Sequence, residues 1–282
     1  MIEESREDQD LSLRRAAAEC AAHKDVSLTS GESTDPSPLN RGSALFLDVD
    51  GTLLEIAARP ELVRVPSGLP SLLAQLAAQR DAALALISGR TLVELDTLFQ
   101  PWRGAAAGLH GLERRRANGT TEWLLDHEGA AALNRLRPKL TALAESGGFL
   151  LEDKGGALAL HYRAVPQRGP EIRAIADQLH RQSASLLRLI TGKMVVEFQP
   201  RSINKGLAIA AFLAEPPFLG RQPVFVGDDT TDEDGFAEIR RRNGIAVRVG
   251  PPGTTCANYR LQSVEAVLAW LASAVCVEHR DN

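Results

Sequence analysis

Two short apolar runs, far apart in the chain, each end in a cluster of carboxylates. The first is Ala44-Leu45-Phe46-Leu47-Asp48-Val49-Asp50-Gly51-Thr52; the second is Val224-Phe225-Val226-Gly227-Asp228-Asp229-Thr230-Thr231-Asp232. Apolar runs of this length bounded by turn residues read as buried strands. An anion beside a low-dielectric core shifts its pKa and neutralises unless something compensates it. A divalent cation is the natural compensation. Mg2+ takes oxygen ligands from one or two carboxylates and leaves room for a substrate phosphate. The pairing therefore points to magnesium-dependent phosphoryl transfer.

Composition narrows the partners. The 282 residues are 44% hydrophobic and 24% charged, the balance of an ordinary globular protein. A net charge of −4 gives no broad positive field for nucleic acid or a membrane surface, so local arginines must hold any anionic substrate. Arg114-Arg115-Arg116 and Arg240-Arg241-Arg242 read as solvated faces. Cys20, Cys256 and Cys276 lack metal-ligand spacing and read as reduced thiols of a cytoplasmic protein. No apolar run reaches the ~18 residues of a membrane span. The acidic stretch from Met1 to Asp10 lacks the order of a secretory signal. The expected partner is a small phosphorylated molecule, with the protein itself a monomer or weak homo-oligomer.

Residues 1–42 read as a flexible leader, rich in Ser, Pro, Thr and Gly from Asp25 to Gly42, with a short helix over Leu11 to His23. Ordered structure is expected from Ser43. Strand and helix then alternate: strand 44–49, helix 67–79, strand 82–87, helix 91–99 and strand 104–109. This is the signature of βαβ units and a parallel sheet. From Leu112 the pattern changes. Two short runs flank Asn118-Gly119, a strong hairpin signal. Helix 129–145, strands 149–153 and 157–163, helix 170–184 and strands 186–191 and 194–199 follow. The parallel pattern resumes with helix 205–214, strand 223–227, helix 232–242, strand 245–249 and helix 263–275. The fold class is α/β. A catalytic core of 43–111 and 200–282 carries an inserted α/β cap, 112–199, with antiparallel strands.

Chemistry concentrates where strands end, the edge at which open α/β sheets bind ligands. A carboxylate at Asp48 suits attack on phosphorus, giving an aspartyl-phosphate. Asp50, two residues on, is placed to protonate the leaving oxygen and then deprotonate water. Gly51 lets the backbone bend, and Thr52 suits a hydrogen bond to phosphate. Ser88, in Leu86-Ile87-Ser88-Gly89-Arg90, and the N–H groups after it suit phosphate oxygens, although an N-cap serine beside a solvated Arg90 is the plainer alternative. Lys205 opens a helix, where the dipole disfavours a cation, so negative groups are expected beside it. One of Asp228, Asp229 and Asp232 is expected on the metal, with the others orienting water or Lys205; Asp232 also suits a helix cap. In the insert, Glu152 with Lys154, and His161 with Arg163, share strand faces by period two, and Glu197 follows later. Such faces are usually solvated, yet mixed charges also suit sugar hydroxyls. His110 reads as a hinge or packed residue.

These elements, in this order, resemble the haloacid dehalogenase-like phosphatase superfamily. Asp48-Val49-Asp50-Gly51-Thr52, Ser88, Lys205 and Gly227-Asp228-Asp229 match its four motifs. Leu86-Ile87-Ser88-Gly89-Arg90, Gly108-Leu109-His110-Gly111, Glu152-Asp153-Lys154-Gly155, His161-Tyr162-Arg163, Val195-Val196-Glu197 and Asn204-Lys205-Gly206 are similar to the bacterial trehalose-6-phosphate phosphatases. The resemblance runs from Ser43 to Leu271. It implies a Rossmann-like core, a type C2 cap and hydrolysis of trehalose 6-phosphate. It also implies Asp48 as nucleophile and metal ligand, Asp50 as acid/base offering the metal its carbonyl, and Asp228 as the second carboxylate ligand. Ser88 and Lys205 would hold the phosphoryl group. Glu152, Lys154 and Glu197 would hold the sugar, with His161 and Arg163 behind them. Phosphatases of other phosphosugars, such as sucrose 6-phosphate or mannosyl phosphoglycerate, would share the core, and a catalytically silent phosphosugar sensor is the rival of another class.

Overall fold

A computed structural model of the chain describes residues 35–57, 62–192 and 194–276. The expected helix over Leu11 to His23 lies outside them. Two compact units form among the described residues: one comprises those up to Glu122 and from Asn204 on, the other those of Trp123–Ile203.

The first unit is built on strands β1 (Ser43–Leu47), β2 (Leu84–Ile87), β3 (Ala105–Gly108), β4 (Glu113–Arg115), β5 (Thr121–Trp123), β10 (Gln222–Gly227), β11 (Ile245–Val249) and β12 (Tyr259–Leu261); the intervening β6 to β9 belong to the second unit. They lie in the order β12-β11-β10-β1-β2-β3-β4-β5. Pairing is parallel from β12 through β3, and β4 joins antiparallel. From β1 the chain winds one way through β2 and β3, and from β10 the other way through β11 and β12. The topological switch therefore falls between β1 and β10, where a doubly wound sheet opens its ligand crevice.

Both faces of this sheet are covered along β1, β2 and β3, which is why those strands are continuously apolar rather than alternating. On β1, Leu45 and Leu47 enter one core layer and Ala44 and Phe46 the other. Val224 and Val226 of β10 follow the first pair, and Phe225 follows the second. Helices α1 (Leu69–Ala78), α2 (Leu92–Leu98) and α7 (Val264–Cys276) supply the first layer. Helices α5 (Lys205–Leu213) and α6 (Glu233–Arg241) supply the second. There Phe46, Phe212 and Phe218 pack with ring centroids 5.1–6.1 Å apart. Each buried ring contributes about 1.5–3 kcal/mol.

The second unit has helices α3 (His127–Gly147) and α4 (Gly169–Arg181) against a four-stranded antiparallel sheet. Its strands are β6 (Leu150–Asp153), β7 (Leu158–His161), β8 (Leu187–Gly192) and β9 (Val195–Pro200), in the order β6-β7-β9-β8.

Several expectations are corrected. The hairpin around Asn118-Gly119, expected to begin the insert, extends the core sheet because β4 pairs with β3. Order begins before Ser43: Leu39 is buried in the first core layer, and the Trp270 indole donates to the Ser37 carbonyl at 3.1 Å. Arg114 and Arg115 are buried rather than solvated, paired with Glu122 and Asp96. Arg240, Arg241 and Arg242 are exposed, as expected of a solvated face, and the last two also pair with the buried Glu238. Cys256 is disulfide-bonded, not a reduced thiol; sequence spacing carries no information on proximity through space. Among the described residues no helix is long and apolar enough to cross a membrane.

Candidate active site

At the switch point, β1 and β10 deliver Asp48 and Asp228. Asp48 follows the last residue of β1, and its N–H donates to the Val226 carbonyl at 2.9 Å, so its backbone is still tied to β10. Its side chain is almost fully buried. Lys205 donates to Asp48 Oδ1 at 2.7 Å, and the buried Thr52 hydroxyl donates to Oδ2 at 3.1 Å. Thr52 thus holds Asp48. Burial pushes the Asp48 carboxyl well above the ordinary value, opposed chiefly by Lys205.

Lys205 is the first residue of α5, behind the N-cap Asn204, whose side chain accepts from Leu207 N–H. A cation there opposes the helix dipole. The compensation is Asp48 together with Asp232, whose Oδ1 lies 2.6 Å from Nζ. Burial disfavours the ammonium, yet these two charges hold its pKa above the ordinary lysine value.

Asp232 is fully buried, and its Oδ2 accepts from the N–H groups of Asp228 and Asp229 at 2.9 Å each. Both its oxygens are therefore engaged, and it shapes the 228–229 turn rather than capping α6. The Asp229 carboxylate accepts from Thr230 N–H and faces solvent. Asp228 differs from both, because its Oδ1 is buried with no hydrogen-bond partner. Burial first, and then the charge of Asp232, raise its pKa to about 6. Oxygens of Asp48, Asp228 and Asp232 lie within 4.8 Å of one another. Three carboxylates thus lie together, two of them bonded to one ammonium and the third with a buried oxygen that accepts from no donor. That donor set fits a hard divalent cation. Gly51 is required here: its φ is +84°, and a Cβ would stand 2.1 Å from Asp228 Oδ2.

Ser88 follows β2 and is buried, its Oγ accepting from Arg90 N–H at 3.2 Å. It does not cap α2; Thr91 does, in a capping box with Glu94. Arg90 is not solvated but grips Asp50, with Nε and Nη2 donating to its two oxygens at 2.7 and 2.6 Å. The core thus gathers Asp48, Thr52, Lys205, Asp228 and Asp232 in one cluster and Asp50 with Arg90 beside Ser88.

The second unit makes its own cluster. Glu152 and Glu197 flank Ala159 from either side of β7, so they share a sheet face with His161. Lys154 donates to Glu197 at 3.0 Å and lies 3.9 Å from Glu152. His161 Nε2 is 2.9 Å from Glu152, whose pKa is lowered chiefly by that hydrogen bond. Arg163 lies beyond β7 and is exposed.

A doubly wound fold of this kind, with carboxylates at its switch point, has solved counterparts. It is shared with a haloacid dehalogenase-like hydrolase from Bacteroides thetaiotaomicron, at a TM-score of 0.59 and 16% identity, covering 83% of this chain and 98% of that one. The C-terminal domain of Candida albicans trehalose-6-phosphate phosphatase superposes with a TM-score of 0.71 at 21% identity, covering 88% and 99%. In sequence, the chain is 46% identical to the trehalose-6-phosphate phosphatase of Escherichia coli K12 over 239 residues, 84% of this chain and 88% of that protein. It is 44% identical to a probable trehalose-phosphate phosphatase of Sinorhizobium fredii, over 74% and 78%. Residues 46–265 match the trehalose-phosphatase family. The chain belongs to that family, whose members are phosphoric monoester hydrolases.

Proposed function

We propose that the protein hydrolyses trehalose 6-phosphate to trehalose and phosphate, as the final step of trehalose biosynthesis, with Mg2+ as cofactor and Asp48 as nucleophile. The observation that carries this reading is the cluster of Asp48, Lys205, Asp232 and Asp228 at the sheet's switch point, in a chain 46% identical to a trehalose-6-phosphate phosphatase. Asp48 and Asp228 would hold Mg2+ through their carboxylates and Asp50 through its carbonyl. Once bound, the ion supplies charge neutralisation to the transferring phosphoryl group.

The residues divide the work. Lys205 and Thr52 fix both oxygens of Asp48, so the nucleophile is oriented before substrate arrives. An Asp48 oxygen attacks phosphorus as the bond to the sugar oxygen breaks. Protonated Asp50 gives its proton to that oxygen, and trehalose leaves. Asp50 then takes a proton from water, which attacks phosphorus and releases Asp48 with inorganic phosphate. Asp50 must leave Arg90 to do so, and the substrate's phosphate competes for the same guanidinium. Ser88 and Lys205 hold the phosphoryl oxygens, and Glu152, Lys154, His161 and Glu197 meet sugar hydroxyls.

The test is phosphate release from trehalose 6-phosphate beside sucrose 6-phosphate and glucose 6-phosphate, with and without EDTA. Fast, EDTA-sensitive release from trehalose 6-phosphate alone is expected. Equal or faster release from another substrate would reassign the specificity, and binding without turnover would make the protein a sensor.

A further inference from the structure

The segment that leaves β3 is strained. Leu109, His110 and Gly111 have successive φ values of 49°, 58° and 112°. Two of these residues carry a Cβ, and such a run persists only where its surroundings over-determine it. The surroundings here are the two arms that carry Ser88 and Lys205. His110 N–H donates to the Ser88 carbonyl at 2.8 Å, and Leu109 N–H donates to the Arg90 carbonyl at 2.9 Å. Glu113, just beyond, accepts from Leu92 N–H at 2.8 Å. The imidazole of His110 lies on Gly89: a Cβ there would stand 2.7 Å from Nε2. Gly111 faces the other arm, where a Cβ would stand 3.0 Å from the Asn204 carbonyl oxygen and from Ala208 Cβ. Asn204 is the cap that places Lys205.

From this geometry we infer that Leu109–Gly111 is a clamp that sets Ser88–Arg90 against Asn204–Lys205, with His110 as a positioning residue whose ring, seated on Gly89, fixes the depth of the Ser88 loop. The inference rests on the phosphatase reading of Ser88 and Lys205. The role assigned to His110 needs no contact with the reacting atoms. His110 acts through Gly89, and the strain in its backbone is what turns the ring and the N–H group onto the same loop.

The experiment compares wild type, Gly89→Ala, His110→Asn and the double variant. Asparagine accepts a left-handed backbone and keeps the N–H donor but removes the ring. The readouts are kcat and KM for trehalose 6-phosphate, and inorganic phosphate affinity of the magnesium-loaded protein by calorimetry. Gly89→Ala should lower kcat roughly 10- to 100-fold, more than it changes KM, because the ring is pushed off its seat. His110→Asn alone should also lower kcat, and the double variant should recover only part of the Gly89→Ala loss, the alanine methyl then taking some of the ring's seat. A Gly89→Ala protein with wild-type kcat, or a double variant no better than Gly89→Ala, would overturn the clamp. Should Gly89→Ala not fold, His110→Asn alone decides, and an unchanged kcat with unchanged phosphate affinity refutes the proposal. A wild type that releases no phosphate removes the phosphatase reading instead, and the phosphate affinities of the four proteins still judge the clamp.

Discussion

Arg90 and Asp50 are joined by a two-pronged ion pair, Nε and Nη2 each donating to a separate carboxylate oxygen at 2.7 and 2.6 Å. A planar guanidinium fits a carboxylate and a phosphate equally well, and an ammonium fits neither in this bidentate way. Arg90 is therefore placed to exchange Asp50 for the arriving phosphate. Arg90→Lys should lower kcat/KM by roughly tenfold or more. Steady-state phosphate release measures it, and wild-type kinetics in that variant would remove Arg90 from substrate handling.

Asp48→Asn should end turnover while sparing the fold. The amide oxygen can still accept from Lys205, which also keeps its 2.6 Å contact to Asp232. Loss of a nucleophile costs on the order of 10⁴-fold or more in kcat. An unfolding midpoint close to wild type with a rate near background is the expected pair of results. Substantial residual turnover would mean that another group attacks phosphorus.

Magnesium should stabilise the folded chain through the orphaned Asp228 oxygen. A ligand at a hundredfold excess over its Kd adds about 2.7 kcal/mol. For a chain of this size that corresponds to a rise of roughly 5–10 °C in the unfolding midpoint. Melting curves with MgCl2 and with EDTA test this, and Asp228→Asn should lose the shift. A variant that keeps the full shift would place the ion elsewhere.

Much of this site was legible because its chemistry sits at strand ends, where an apolar run stops at a carboxylate. Asp48 after β1 and Asp228 after β10 were visible as local patterns, and alternation of strand and helix announced the parallel sheet that brings them together. What stayed hidden was set by how side chains turn once the loops are folded, between near residues as well as distant ones. Nothing local marks Thr52 as a donor to Asp48, Arg90 as the partner of Asp50, or Asp232 as the acceptor for its own turn. The edge strand Tyr259–Leu261 was also missed, since three residues beside a Gly/Pro-rich loop carry no periodicity. The hairpin after Leu112 was seen but joined to the wrong sheet, because pairing of β4 with β3 depends on the fold around them.

Acidity should act in opposite senses with and without the metal. Burial raises the folded pKa of Asp228 to about 6, above the ~3.9 of an unfolded aspartate. A raised carboxylate contributes stability that is full below the unfolded pKa and lost as pH rises through the folded one. Metal-free wild type should thus lose ground to Asp228→Asn between about pH 4 and 6 and level off above. Magnesium competes with that proton, so its affinity should rise over the same interval. Melting curves in EDTA across this range check the first statement, and calorimetric magnesium titrations check the second. A gap between the two proteins that stays constant with pH would exclude a raised Asp228.

Glu197 is the cleanest probe of sugar recognition in the second unit. It is nearly buried and tied to Lys154 at 3.0 Å. Removing Lys154 would leave a buried carboxylate uncompensated and confuse recognition with stability. Glu197→Gln keeps the shape and leaves an acceptor for Lys154, while removing the charge that strengthens a hydroxyl hydrogen bond. Hydrogen bonds to charged groups are worth about 1.5–3 kcal/mol, so KM for trehalose 6-phosphate should rise by roughly 10-fold or more. A small aryl phosphate, which has no sugar to present, should be hydrolysed at an unchanged rate. Equal losses on both substrates would show that Glu197 supports the fold and not the sugar.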